Sequence, residues 1–394
     1  MRRSLPILGI AHWLALALIT LSPPAVTADS AVDPPPLHPG APELSARNFL
    51  LMDFNTGQVL AEKAADRRVE PASLTKLMTA YVTFRELNAG RARLSDLVTV
   101  SKKAWRTGGS RMFINVNSKV KIEDLLQGMI VQSGNDASVA LAEHLAGDEA
   151  TFAAEMTRQA QRLGMTNSHF ENSTGLPSER HYASARDVGI LATALIREFP
   201  EYYRWYSQRE YTYNDIRQFN RNKLLWRDDS VDGLKTGYTQ NAGYCLVSSA
   251  QRDGMRLIAV VMGAQNAKVR VAESRTLLNY GFRFFVSKRM ATAGEAVTGA
   301  IAKVWKGAQG QVPVAAAQDI YVTVPRGAVG DLGIRIDLQS PLIAPLSTGQ
   351  PIGAFNVTLG EQVIAQSPLQ PGHDIQQGGL WRRTKDAVRL WFEE

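Results

Sequence analysis

Pro71-Ala72-Ser73-Leu74-Thr75-Lys76-Leu77-Met78 is the stretch on which the rest of this chain turns. Residues 74–87 carry a strongly helical pattern, stopped by Asn88-Ala89-Gly90, so Ser73 stands at a helix start. Its hydroxyl there lies at the positive end of the helix dipole, beside N–H groups that lack intrahelical partners. Lys76 follows one turn later on the same face, within reach of that hydroxyl. A serine hydroxyl is a poor nucleophile until a base takes its proton. A lysine serves as that base only when burial or a nearby cation lowers its pKa. The segment predicts a nucleophilic serine with a lysine base.

Spacing alone does not carry this reading, because Ser118-Lys119-Val120-Lys121 has the same S-x-x-K form. Ser118 precedes a helix expected from Ile122 and reads as its cap. Two further motifs occur once each, Ser133-Gly134-Asn135 and Lys235-Thr236-Gly237. Taken singly, Ser133 and Asn135 could cap the helix expected near Asp136, and the second motif could be a tight turn. If its strand borders the same cleft, Lys235 is the cation that depresses Lys76. No C-x-x-C, H-x-x-H or H-E-x-x-H occurs, so neither a metal nor another cofactor is expected. Cys245, the single cysteine, lies in an apolar stretch and reads as a small core residue.

Five segments are expected from end to end. Residues 1–28 have Arg2 and Arg3 ahead of an apolar run broken by Pro23 and Pro24, the pattern of a cleaved secretory signal. Residues 29–44 form a proline-rich lead-in. Residues 45–285 begin with a hairpin over 48–63. Helical patterns follow at 122–131, 136–145, 149–163 and 185–198, then a hairpin over 244–262 and a helix over 269–280. Strands at both ends of a helical block predict an antiparallel sheet assembled from distant segments and flanked by helices. Residues 286–375 read as a small all-β domain of sandwich type, so the fold class is α+β. Residues 376–394 end in a basic amphipathic helix bearing Trp381, Trp391 and Phe392. That helix is shorter than the ~20 residues a span requires and suits a membrane interface. Docking on its own protein is the alternative, but Gln376-Gln377-Gly378-Gly379 reads as a flexible joint favouring the membrane.

S-x-x-K, S-x-N and K-T-G in this order are the motif set of serine β-lactamases and penicillin-binding proteins. The chain resembles low-molecular-mass penicillin-binding proteins of the D-alanyl-D-alanine carboxypeptidase branch. The likeness extends to Glu171-Asn172-Ser173-Thr174-Gly175-Leu176 with His181, and to Arg221-Asn222-Lys223-Leu224-Leu225-Trp226 ahead of the K-T-G. The resemblance implies roles by position. Ser73 would attack the bond between the two D-alanines of a peptidoglycan stem pentapeptide, with Lys76 as base and Ser133 relaying a proton to the leaving amine. Asn135 would bind substrate backbone, and Lys235, Thr236 and Gly237 would line the carboxylate end, with Arg221 or Arg270 adding charge. The N–H groups of Ser73 and Tyr238 would form the oxyanion hole. Tyr238 departs from the family pattern, in which the best-known members carry histidine after the K-T-G. β-Lactam antibiotics would enter the same path and acylate Ser73.

The formal charge of +7 falls to +5 once Arg2 and Arg3 leave with the signal. No basic run interleaves with aromatics, so nucleic acid is not an expected partner. The balance suits a carboxylate substrate or an anionic membrane face, and an exported, periplasmic, inner-membrane-attached enzyme is expected. Three other readings share the fold. A β-lactamase lacks the second domain, a D,D-endopeptidase for cross-links differs in cleft access, and a non-catalytic wall-binding scaffold would have lost its nucleophile or base.

Overall fold

In a computed structural model of the chain, residues 39–393 are described; the expected signal and lead-in residues 29–38 lie outside them. The hairpin β1 (Asn48–Asp53) and β2 (Val59–Lys63) leads through a 3-10 turn at Ala72–Thr75 into α1 (Lys76–Asn88). A largely helical block follows: β3 (Leu97–Thr99), α2 (Lys102–Arg106), β4 (Lys119–Lys121), α3 (Ile122–Val131), α4 (Asn135–Ala146), α5 (Glu149–Arg162), α6 (Ala185–Glu198) and α7 (Pro200–Tyr203). The hairpin β5 (Glu210–Tyr213) and β6 (Ile216–Phe219) then precedes β7 (Val231–Thr239), β8 (Gly243–Arg252), β9 (Met255–Ala264) and α8 (Ala267–Phe284).

One antiparallel sheet, in the order β2-β1-β9-β8-β7, joins the two ends of this region. Its strands feed two cores because side chains alternate across a sheet. On β9, Ile258 and Val260 face the helical block with Leu77, Leu126 and Leu141. Leu257, Ala259 and Val261 face the other side with Leu277 and Leu278 of α8. Burial on both faces explains why β1 and β9 read as continuous apolar runs rather than alternating ones. Strand β7 is left at the edge, so alternate backbone groups along it point away from β8.

The chain enters β10 (Phe285–Ala291) directly from α8 and continues through β11 (Ala296–Trp305), β12 (Gln311–Ala316), β13 (Ile320–Pro325), β14 (Leu332–Leu338), β15 (Leu342–Ile343), β16 (Gly353–Leu359) and β17 (Gln362–Pro371). A six-stranded sheet, β14-β16-β17-β12-β11-β15, and the β10–β13 pair enclose a third core around Val314, Val322 and Phe355. Thr56 and Thr323 hydroxyls meet at 2.8 Å, and the Arg326 guanidinium donates to the Phe282 carbonyl at 2.9 Å, fixing this region to the first.

Three local expectations are corrected. Ser118 caps no helix: its hydroxyl donates to the Asn115 carbonyl at 2.6 Å, and residues 119–121 form a strand before α3 begins. Ser133 and Asn135 do not cap α4, whose N-cap is Gly134. The 376–379 joint is not free. Ala308 N–H donates to the Gln376 carbonyl and Gly378 N–H to the Lys306 carbonyl, each at 2.8 Å. The final helix, α9 (Leu380–Glu393), turns its polar side to the same loop, where Asp386 accepts from Lys306 N–H at 2.7 Å.

Candidate active site

A cleft of about 480 Å³ opens between edge strand β7, the start of α1 and the turn between α3 and α4. Ser73, Ser133, Asn135, Thr236, Gly237, Tyr238, Arg221 and Arg270 all line it. Lys76 and Lys235 do not; they lie immediately behind Ser73 and Ser133, 1% and 3% exposed. The sequence motifs therefore converge, with hydroxyls at the surface and amines beneath.

Ser73 sits in the 3-10 turn and Lys76 begins α1, so three residues bring Lys76 Nζ to 3.0 Å from Ser73 Oγ. The same amine donates to Asn135 Oδ1 and to the Thr174 carbonyl, both at 2.7 Å. Neither of those oxygens can donate. When Lys76 is neutral, its two N–H groups go to them and its lone pair is left facing the Ser73 hydroxyl. Burial lowers the Lys76 pKa to about 7, and the Arg221 guanidinium adds to the shift. The Thr174 carbonyl is itself held. Asn172 Oδ1 accepts from Thr174 and Gly175 N–H, and Glu149 accepts from Ser173. Gly175, at φ +82°, is required: a Cβ there would lie 1.8 Å from the Ala72 carbonyl.

Ser133 occupies the turn ahead of α4 with φ +67°, a conformation that costs a non-glycine residue about 1 kcal/mol or more. Lys235 Nζ donates to its hydroxyl at 2.8 Å and to the Thr236 carbonyl at 3.1 Å. Burial holds Lys235 well below the ordinary lysine range, and Lys76, Arg221 and Arg270 push it further down. Arg270 donates to the Gly237 carbonyl at 3.1 Å and Arg221 to the Gln132 carbonyl at 3.0 Å. Burial lowers both guanidinium pKa values. Gly237 lets β7 press on the Ser73 turn, since a Cβ there would stand 3.3 Å from Ser73 N.

Asn135 lines the cleft and also has partners inside the protein. Besides accepting from Lys76, its amide donates to the Gly108 carbonyl at 2.6 Å, so it clamps the lysine and a neighbouring loop. Asp136 fixes that loop by accepting from Met112 and Phe113 N–H, both at 2.9 Å. Residues 109 and 110 of the loop line the cleft and carry no sequence signal. Tyr244 was also missed. It reads as an ordinary strand residue, yet its ring lies 4.3 Å from Tyr238 and 5.5 Å beneath the Arg270 guanidinium. His181 is a buried hydrogen-bonder. Glu171 N–H donates to Nδ1 at 3.1 Å, so the ring proton sits on Nε2 and is donated to Thr75 Oγ1 at 2.8 Å. Burial lowers its pKa to about 4, keeping it neutral. The Cys245 thiol is fully buried and raised by burial to about 11. No cluster of metal-ligating side chains occurs among the described residues.

Residues 36–266 match the D-alanyl-D-alanine carboxypeptidase family, and residues 285–377 match the C-terminal domain of penicillin-binding protein 5. The chain belongs to the D-alanyl-D-alanine carboxypeptidase family. Among its relatives is the D-alanyl-D-alanine carboxypeptidase DacC of Escherichia coli, 40% identical over 96% of this chain and 94% of that protein. Penicillin-binding protein 5 of Haemophilus influenzae has a similar solved structure, with TM-score 0.79 and 40% identity over 86% of this chain and all of that one. The chain also resembles, over part of its length, the ampicillin-bound form of penicillin-binding protein D2 of Listeria monocytogenes. There the TM-score is 0.57, with 30% identity over 61% of this chain and 100% of that one. The family is one of serine-type peptidases, and the Ser73–Lys76 pair lies in the cleft described above.

Proposed function

We propose that the chain is a serine D-alanyl-D-alanine carboxypeptidase that removes the terminal D-alanine from peptidoglycan stem pentapeptides and is acylated by β-lactams. The observation that carries this reading is the Lys76 amine, held by two acceptors so that its remaining direction is the Ser73 hydroxyl at 3.0 Å. Ser73 Oγ attacks the carbonyl between the two D-alanines as Lys76 takes its proton. The oxyanion is met by the N–H groups of Ser73 and Tyr238, a contribution of ~3 kcal/mol per donor. The C–N bond then breaks, and the proton held by Lys76 is relayed through Ser133, backed by Lys235, to the departing amine, which leaves Lys76 neutral again. Thr236, Arg221 and Arg270 bind the terminal carboxylate, with Lys235 behind them. An anion there offsets the mutual repulsion of these cations and restores charge to Lys235. Asn135 positions Lys76, and a water activated beside Lys76 hydrolyses the ester. Tyr238 brings no imidazole to that step.

The domain organisation fits the same function. Residues 45–285 would form the catalytic unit and 286–375 a β-rich support. Residues 376–394 would attach the protein to the outer face of the cytoplasmic membrane after export directed by residues 1–28. No described helix is long and apolar enough to cross a membrane. What supports surface attachment is α9, whose Leu380, Trp381, Trp391 and Phe392 are between 74% and 83% exposed. The test is D-alanine release from a muramyl pentapeptide, together with labelling by a fluorescent penicillin. Wild type is expected to give both and Ser73→Ala neither; labelling that survives the substitution overturns the assignment.

A further inference from the structure

Tyr238 and Tyr244 have no part in the acyl-transfer steps beyond the Tyr238 N–H, yet both residues line the cleft. They stand directly opposite one another on β7 and β8, so their side chains leave the same face of the sheet. Tyr238 lies two residues beyond Thr236 on β7 and shares its face. The ring centroids are 4.3 Å apart, and the Arg270 guanidinium lies 5.5 Å from that of Tyr244. The same guanidinium donates to the Gly237 carbonyl at 3.1 Å and the Cys245 carbonyl at 3.4 Å, one on each strand. The turn joining the strands is pinned as well, because Glu70 accepts from the Thr239 hydroxyl and the Asn241 amide, each at 3.0 Å. The pair is therefore a fixed aromatic wall. Tyr238 nevertheless stays 55% exposed, and ring surface gains by being covered. The methyl group of a D-alanine covers little of it.

We propose that this wall binds the side chain of the stem peptide's terminal residue and takes apolar D-residues larger than alanine, such as D-methionine or D-leucine. The inference rests on the carboxylate assignment above. With that carboxylate held by Thr236, Arg221 and Arg270, the carbon beside it is one bond from its anchor. Its amide nitrogen is directed to Ser73, and its side chain is left beside the ring pair that Arg270 covers. An apolar chain there takes ring surface out of water. An amide-bearing chain of the same length finds no partner on the ring faces and loses its hydration. The chemistry is that of the cleft. The Ser73 Oγ–C bond forms as the C–N bond to the terminal residue breaks, the amine departs with the relayed proton, and water hydrolyses the ester. The enzyme would therefore clear stems that end in several D-residues instead of one.

The test compares kcat/KM of the full-length protein for three muramyl pentapeptides, ending in D-alanine, D-methionine and D-glutamine. The last two have nearly the same length and differ in polarity. Wild type is expected to release D-methionine within about threefold of D-alanine and ~10-fold faster than D-glutamine. Tyr238→Ser and Tyr244→Ser should each bring the methionine-to-glutamine ratio to within about twofold of unity, and Tyr238→Phe should keep it. Penicillin acylation checks that each variant is folded. Losses on all three substrates with the ratio unchanged would make the rings structural and overturn the inference, as would loss of the ratio in Tyr238→Phe. A wild type that releases D-alanine but not D-methionine, or that treats D-methionine and D-glutamine alike, overturns the inference alone. A wild type inactive on the D-alanine stem overturns the underlying reading as well.

Discussion

Two segments of this chain have the form S-x-x-K, and the structure treats them in opposite ways. Around Ser73 the pair lies in a 3-10 turn running into a helix, with Lys76 buried and three groups within hydrogen-bond distance of its amine. Around Ser118 the residues lead into a three-residue strand that leaves Lys119 and Lys121 exposed, and the serine hydroxyl is spent on a turn carbonyl. The difference teaches that spacing brings a lysine near a serine only when the backbone is helical. The lysine becomes a base only when burial removes the water that would keep it charged.

The sharpest way to break this comparison is a pair of serine substitutions. Ser73→Ala should cut D-alanine release by ~10⁴-fold or more, whereas Ser118→Ala should leave steady-state rates within about twofold. The lysines come next. Lys76→Met should slow penicillin acylation by ~10³-fold, and Lys121→Met should not change it. Asn135→Ala removes an acceptor from Lys76 and frees the loop at Gly108, so acylation should fall by ~10²-fold; an unchanged rate would show that Asn135 does not position the base. The smallest effect is graded. With Lys76 as the proposed base, only its neutral amine accepts the proton, and burial brings its pKa down to about 7. The acylation rate should drop ~tenfold per pH unit below that value and level off above it. A profile flat from pH 5 to pH 9 would remove Lys76 as the titrating base.

Much of the fold was legible because its elements carry their own periodicity. Residues 122–131 and 185–198 form helices over the expected bounds, and the hairpins at 48–63 and 244–262 follow from turn residues between apolar runs. Of the site, Ser73 and Lys76 could be read from local geometry, whereas Ser133 and Lys235 became readable only jointly, as members of an ordered set. What stayed hidden depends on contacts across long stretches of chain. Asn135 reaches Lys76 across 59 positions. Tyr244 matters because Tyr238 and Arg270 flank its ring, which nothing in its neighbours announces. The joint at 376–379 looked loose because glycine and glutamine carry no packing signal, yet their backbone groups are taken up by residues 306 and 308.

Helix α8 ends at Phe284 and β10 starts at Phe285, with no spacer between them. With the Thr56–Thr323 contact beside it, that junction behaves as a weld rather than a hinge. A change of angle between the β-rich end and the cleft has no loose residues to take it up at this point and would have to bend α8 or β10 or break that contact.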